Sequence, residues 1–406
     1  MRTSTVTRRG ILQGSAAAAL FTTIPAAAQD DRPESGTPVT GAGPRARALG
    51  VPFLGGDTGL NNAITDVPGV GVGHLTLIEG DGPLNVGSGP VRAGVTAVVP
   101  RLTDPLSPVF AARHTLNGNG EMTGSLWIDE MGMFFGPVML TGTYSVGTVK
   151  EAIQDFAFAQ FRTEFGVAVV SETYDGLLND AHGHHVTADH AVQAYASASD
   201  GPVAEGNVGG GTPMTCFDFK GGIGTASRVI PFPDGVSYTV GVLVQANHGI
   251  REALTIAGVP VGQEIADLLP EVSESARGTF KTSSIIVVIA TDAPYLPHQL
   301  RRLAQRAGLG IGIGGGRGED PSGDLFLAFS TTPLGDLEEP FPMPLTMLPN
   351  FTTSPFFHQV AAATEEAIVN AMVAAETMTG RDGNTVHALP HDRLQEVLQK
   401  YNRLVE

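Results

Sequence analysis

Cysteine is almost missing from this chain: Cys216 is the single one in 406 residues. No intramolecular disulfide can form. Cys216 sits among aromatics in Pro-Met-Thr-Cys216-Phe-Asp-Phe-Lys, and such a setting predicts a buried small apolar residue rather than a nucleophile. Basic residues are also few. Lys and Arg number 24 against 41 Asp and Glu, a net charge of −17, with no basic cluster. Phosphate backbones need clustered cations, so nucleic-acid binding is excluded. An acidic surface suits small substrates, or substrates carrying an amine. No apolar run reaches the roughly 20 residues of a membrane span, and no internal repeat is present.

Several chemical signatures are missing too. Gly310-Ile-Gly312-Ile-Gly314-Gly-Gly316 follows a helical pattern and leads into Arg317-Gly-Glu-Asp-Pro. No helix with Lys and a hydroxyl follows, which rules out a P-loop, and the order is wrong for a dinucleotide turn. A flexible loop is expected there. The run His182, His184, His185 and His190 has neither cysteine partners nor HExxH spacing. It reads as a polar loop, and it keeps metal-dependent hydrolysis open only as the second chemistry. No Gly-x-Ser-x-Gly elbow stands in a suitable helix context.

What is present is a chain 42% hydrophobic and 16% charged, enough for one large or two ordinary domains. Glycine (52) and proline (28) are abundant, so tight turns are frequent. Arg8-Arg9 precede an apolar run from Ala16 to Pro25, and Ala26-Ala27-Ala28 follow. Residues 1–28 are expected to be a twin-arginine signal peptide, placing the protein in the periplasm or outside the cell. Residues 29–50 read as a flexible leader. Val- and Ile-rich runs at 94–100, 166–171, 238–245 and 285–291 predict strands covered on both faces. Helices are expected at 149–161, 297–308, 357–379 and 391–405. Residues 271–283 are polar and small, an exposed loop. That loop runs straight into Ser284-Ile-Ile-Val-Val-Ile-Ala-Thr, a buried strand whose first residue is a serine.

Four further segments bear on this junction: Asn62-Ala-Ile-Thr-Asp-Val-Pro-Gly, Asn207-Val-Gly-Gly-Gly-Thr, Lys220-Gly-Gly-Ile-Gly-Thr-Ala-Ser-Arg228 and Val242-Leu-Val-Gln-Ala-Asn247-His-Gly. With the Ser284 segment they resemble the β-peptidyl aminopeptidase / L-aminopeptidase D-amidase/D-esterase family, over residues 59–375. The resemblance implies a four-layer αββα sandwich like that of N-terminal-nucleophile hydrolases. It implies a precursor cut into two parts of one catalytic domain, residues 51–283 and 284–406, and a homo-oligomer of such cleaved pairs. The attacking hydroxyl and the freed α-amine would then share one residue. An α-amine titrates near 7.7–8.0, which suits a general base.

By the same resemblance Ser284 is the nucleophile. Ser322 and Asp324 are the downstream serine and acid that tune it. Asn247 is the oxyanion-site amide, and Tyr174 stands beside the reacting carbonyl. Glu172 would bind the substrate ammonium. Two residues apart on a strand share a face, so Glu172 and Tyr174 are expected in one pocket, as are Ser322 and Asp324. Two departures stand out. Asp324 replaces the more usual Glu and is one methylene shorter, and Ser283 precedes Ser284, which leaves the cut site ambiguous by one residue. The implied activity is removal of an N-terminal β-amino, L- or D-residue from short peptides, amides or esters through an acyl-enzyme, with no cofactor or metal. A self-cleaving acyltransferase of the ornithine acetyltransferase type and a non-catalytic exported binding protein are the other readings.

Overall fold

The computed structural model describes residues 43–162, 167–232, 235–274, 276, 283–334 and 343–405. The expected signal segment, most of the leader and most of the loop before Ser284 lie outside the described residues. In chain order the main strands are β1 (Gly71–Glu79), β2 (Val91–Val99), β3 (Val109–Gly118), β4 (Met133–Phe134), β5 (Val138–Gly142), β6 (Val169–Thr173), β7 (Thr215–Cys216), β8 (Phe219–Lys220), β9 (Gly222–Pro231), β10 (Ser237–Asn247), β11 (Ser284–Thr291) and β12 (Gly323–Ser330). The helices are α1 (Ser125–Met131), α2 (Val146–Phe161), α3 (Ala188–Ala196), α4 (Val261–Glu264), α5 (Pro297–Ile313), α6 (Ser354–Val373) and α7 (His391–Lys400).

One sheet has the order β1-β2-β5-β6 and the other β4-β3-β12-β11-β10-β9. Period-two alternation decides how they stack. Along β11, Ile286, Val288 and Ala290 face the other sheet, where they meet Val98, Leu140 and Val169. Ile285, Val287 and Ile289 face the opposite way, into a core shared with Leu300 and Leu303 of α5 and Val360 and Ala367 of α6. Helices α2 and α3 cover the outer face of the smaller sheet through Val149, Ile153, Ala191 and Ala194. The layers are therefore α, β, β and α. Every residue of β11 is buried, which is why its sequence reads as an unbroken apolar run.

Residues before and after Ser284 are woven into one sheet. β11 and β12 run parallel, and β10 and β3 flank them antiparallel. A cut at Ser284 would leave the later strands clasped on both sides by the earlier ones.

Four expectations change, the simplest being that α7 stops at Lys400 rather than 405. Of the run Gly310–Gly316 expected as a loop, Gly310 and Gly312 are helical, because α5 extends to Ile313 rather than 308, and Gly314–Gly316 lie beyond it. A methyl at Gly310 would lie 2.5 Å from the Ala361 carbonyl oxygen and 2.6 Å from Thr364 Cβ, so Gly310 lets α6 cross closely. Helix α6 stops at Val373 rather than 379, and Met378–Thr379 pairs instead with Thr385–Val386. The leader is docked over its last residues. Ala46 is buried, Arg45 binds Glu205, and Arg47 binds Glu366 of α6.

Candidate active site

The end of β10, the start of β11 and the start of β12 meet at one point. Ser284 opens β11 opposite Asn247 on one side and Gly323 on the other. Its hydroxyl is buried and donates to the Ser283 carbonyl at 2.6 Å. The Gly323 amide donates to Ser284 Oγ at 3.2 Å and to the Ser283 carbonyl at 3.1 Å. One backbone N–H thus touches both the hydroxyl and the carbonyl in front of it. Gly323 was not singled out from the sequence. A side chain there would strike the Asn119 carbonyl at 2.6 Å, so the close approach needs glycine.

Ser322 Oγ donates to Asp324 Oδ1 at 2.6 Å, and both residues are buried. The shorter acid therefore reaches its serine. Burial pushes the Asp324 carboxyl above its ordinary range, while the Ser322 hydroxyl and the Ile285 amide pull it back. The turn before β12 is anchored from the end of β3 and the residue just past it: Asn117 Nδ2 donates to the Glu319 carbonyl at 2.7 Å, and Asn119 Nδ2 to the Pro321 carbonyl at 2.7 Å.

Asn247 is held at both ends of its amide. Thr215 N–H donates to its Oδ1 at 2.8 Å, and its Nδ2 donates to the Tyr174 carbonyl at 3.1 Å. One Nδ2 hydrogen remains for another acceptor. Asn247, Tyr174, Thr215, His248 and Ser283 line a cavity of about 430 Å³. Burial raises the Tyr174 phenol, with the nearby Asp175 adding to the effect.

Glu172 does not share that cavity with Tyr174, contrary to expectation. β6 ends at Thr173, so Tyr174 lies past the strand and no longer follows its alternation. The Glu172 carboxylate accepts the Glu121 amide at 2.9 Å and the Thr143 hydroxyl. It remains close to the β11–β12 junction. A methyl at Gly120 would sit 3.2 Å from Glu172 Oε1 and 3.3 Å from Gly323 Cα. Burial pushes the Glu172 carboxyl upward, and the Thr143 hydrogen bond opposes that shift. Thr143 and Glu121 carried no sequence signal, because they come from other elements.

Of the described residues singled out from the sequence, Cys216, His185 and His190 are engaged in structural contacts. Burial pushes the Cys216 thiol up to about 12, which leaves it protonated. His185 pairs with Asp180 at 2.9 Å, and His190 caps α3 through Thr187. Among the described residues no three His, Cys, Asp or Glu side chains could hold a metal ion. No described helix is long and apolar enough to cross a membrane.

Comparison with known proteins gives concordant results. The sequence model of peptidase family S58 matches residues 62–386. A β-peptidyl aminopeptidase, BapA, of Sphingosinicella microcystinivorans is 51% identical over 377 residues, 89% of this chain and 93% of that protein. The solved L-aminopeptidase D-Ala-esterase/amidase of Ochrobactrum anthropi, described as a serine aminopeptidase with a variant of the Ntn-hydrolase fold, superposes with a TM-score of 0.81 at 46% identity. It covers 89% of this chain and 100% of that one. A β-aminopeptidase of a Burkholderia species gives a TM-score of 0.78 at 46% identity, covering 88% and 98%.

Proposed function

Because the chain belongs to peptidase family S58 and has the fold of the Ntn-hydrolase serine aminopeptidases, we propose that it cuts itself before Ser284 and then works as an aminopeptidase through that residue. The observation that carries this reading is the Ser284 hydroxyl, 2.6 Å from the Ser283 carbonyl oxygen and sharing the Gly323 amide with it. Attack of Oγ on the Ser283 carbonyl carbon breaks the bond to the Ser284 nitrogen and leaves an ester. Water then hydrolyses the ester and frees both the hydroxyl and the α-amine.

In the mature enzyme the Ser284 α-amine takes the proton from Oγ as the hydroxyl attacks a substrate carbonyl. The Ser322–Asp324 pair, adjoining Gly323 on β12, supports the charge that develops on that amine. The free Nδ2 hydrogen of Asn247 serves the oxyanion, with Tyr174 beside it. Glu172 takes the substrate ammonium. Its place next to the β11–β12 junction supports this role. Substrates are short peptides, amides or esters with a free N-terminal β-amino, L- or D-residue. The 51% identity to a β-peptidyl aminopeptidase favours β-residues.

Export by the twin-arginine route rests on the sequence of residues 1–28, and a homo-oligomer rests on the family resemblance. The deciding experiment is intact mass with N-terminal sequencing of the purified protein. A fragment beginning Ser-Ile-Ile-Val is expected, together with hydrolysis of β-alanyl, D-alanyl or L-alanyl anilides. A fragment beginning Ser-Ser-Ile would move the nucleophile to Ser283, and an active but uncut chain would sink the mechanism.

A further inference from the structure

Lys220 lies in β8 and is completely buried. Among the described residues no carboxylate forms an ion pair with it. Its Nζ instead donates to three backbone carbonyls, Met214 at 2.8 Å, Gly221 at 3.0 Å and Gly211 at 3.4 Å. Three donors meet three acceptors, as an ammonium requires. Removing an ammonium from water without a counter-ion is costly, and burial drives the Lys220 pKa well down. A fold that needed only packing here would be served by Met or Leu.

Two of the held carbonyls, Gly211 and Met214, bracket the turn that leads into Thr215, and two strands of the site lean on that segment. The Thr215 amide fixes Asn247 Oδ1 at 2.8 Å. The Met214 thioether accepts the Thr173 hydroxyl at 2.8 Å, and Thr173 sits between Glu172 and Tyr174. Gln245 of β10 donates to the same Thr173 hydroxyl at 2.8 Å. We propose that Lys220 is a positioning residue for the reaction: by clamping the Gly211–Met214 carbonyls it orients the Asn247 amide and sets β6, with Glu172 and Tyr174, against β10. It touches no reacting atom. The inference rests on the aminopeptidase reading for its assay, and on the geometry for everything else.

The test compares Lys220→Met and Lys220→Arg with wild type. β-Alanyl-p-nitroanilide turnover is expressed per cleaved chain, counted by intact mass, so that misfolded or unprocessed molecules do not enter. Met removes all three donors. Arg keeps the charge, but its planar fork cannot meet three converging carbonyls. Misorienting a catalytic amide by about 1 Å costs on the order of 100-fold. The expected result is kcat per cleaved chain down roughly 10- to 100-fold in both variants, with KM within about threefold. A folded variant that stays uncut also supports the proposal, since Asn247 pairs directly with Ser284 across β10 and β11 and its displacement reaches the cut site. A kcat per cleaved chain within about twofold of wild type, in whichever variant folds, overturns it. So does failure of both variants to fold, which would make Lys220 a folding residue. If wild type cleaves itself but turns over no β-alanyl, D-alanyl or L-alanyl anilide, the aminopeptidase reading fails instead, and the rates of self-cleavage alone judge Lys220.

Discussion

Replacing Glu172 with Gln separates substrate recognition from everything else the site does. In the structure the carboxylate accepts one backbone amide, from Glu121, and one hydroxyl, from Thr143. A glutamine can keep the first contact through its oxygen. Its NH2 then faces Thr143, whose hydroxyl can turn to accept. The fold therefore loses about 1 kcal/mol at most. The substrate loses more. A charge-assisted hydrogen bond from an ammonium is worth ~1.5–3 kcal/mol, or roughly ten- to a hundredfold in kcat/KM for free-amine substrates. Self-cleavage involves no substrate ammonium and proceeds normally. The assay measures β-alanyl-anilide hydrolysis per cleaved chain beside hydrolysis of its N-acetyl counterpart, and the ratio between the two narrows in the variant. The pH profile gives a second reading. Burial raises the Glu172 carboxyl above its ordinary 4.5. Below that raised value the group is neutral and cannot pair with an ammonium, so activity falls as the pH drops through it. The Gln variant lacks this acid limb. Unchanged hydrolysis, or hydrolysis and self-cleavage falling together, would refute the amine-anchor role.

Ser284→Ala removes the hydroxyl needed for both cleavage and turnover, so a folded, full-length and inactive chain is expected on a denaturing gel. Turnover near the wild-type rate would reject Ser284. Asn247→Ala removes one oxyanion donor and should lower kcat about 100- to 1,000-fold with little change in KM; a loss confined to KM would point to ground-state binding instead. Activity should survive a chelator, because the proposed serine route uses no metal, and loss restored by zinc would speak for a metal hydrolase. Glu365 is buried beside Glu366, and its carboxyl is pushed up to about 7 by burial and by that neighbour. Its proton leaves the unfolded chain near 4.5 but the folded one near 7, so stability declines as pH rises through that window. Glu365→Gln, made in the uncut Ser284→Ala chain, should gain on the order of 1–3 kcal/mol at pH 8 and nothing at pH 4 in urea unfolding. Equal gains at both pH values would show that titration is not the cause.

Some of this protein was legible in the chain itself. The junction at Ser284 shows as a polar loop meeting an unbroken apolar run, because a strand covered on both faces has no polar side to display. The inertness of Cys216 could be read from its aromatic neighbours. The contact of Ser322 with Asp324 was legible from their spacing, although Ser322 stands in the turn just before β12 and Asp324 inside it. Local rules failed where elements end or cross. Glu172 and Tyr174 part company because β6 stops between them, and Gly310 lies inside α5, where α6 leaves no room for a side chain. The double contact of the Gly323 amide joins residues 39 apart in sequence. The grip of Thr215 on Asn247 spans 32. Lys220 gave no sign of its surroundings, because three converging carbonyls arise from backbone folding and leave no mark in residue type. Periodicity and motif report what each side chain prefers to face; which backbone groups converge on a point is decided only when the two sheets pack.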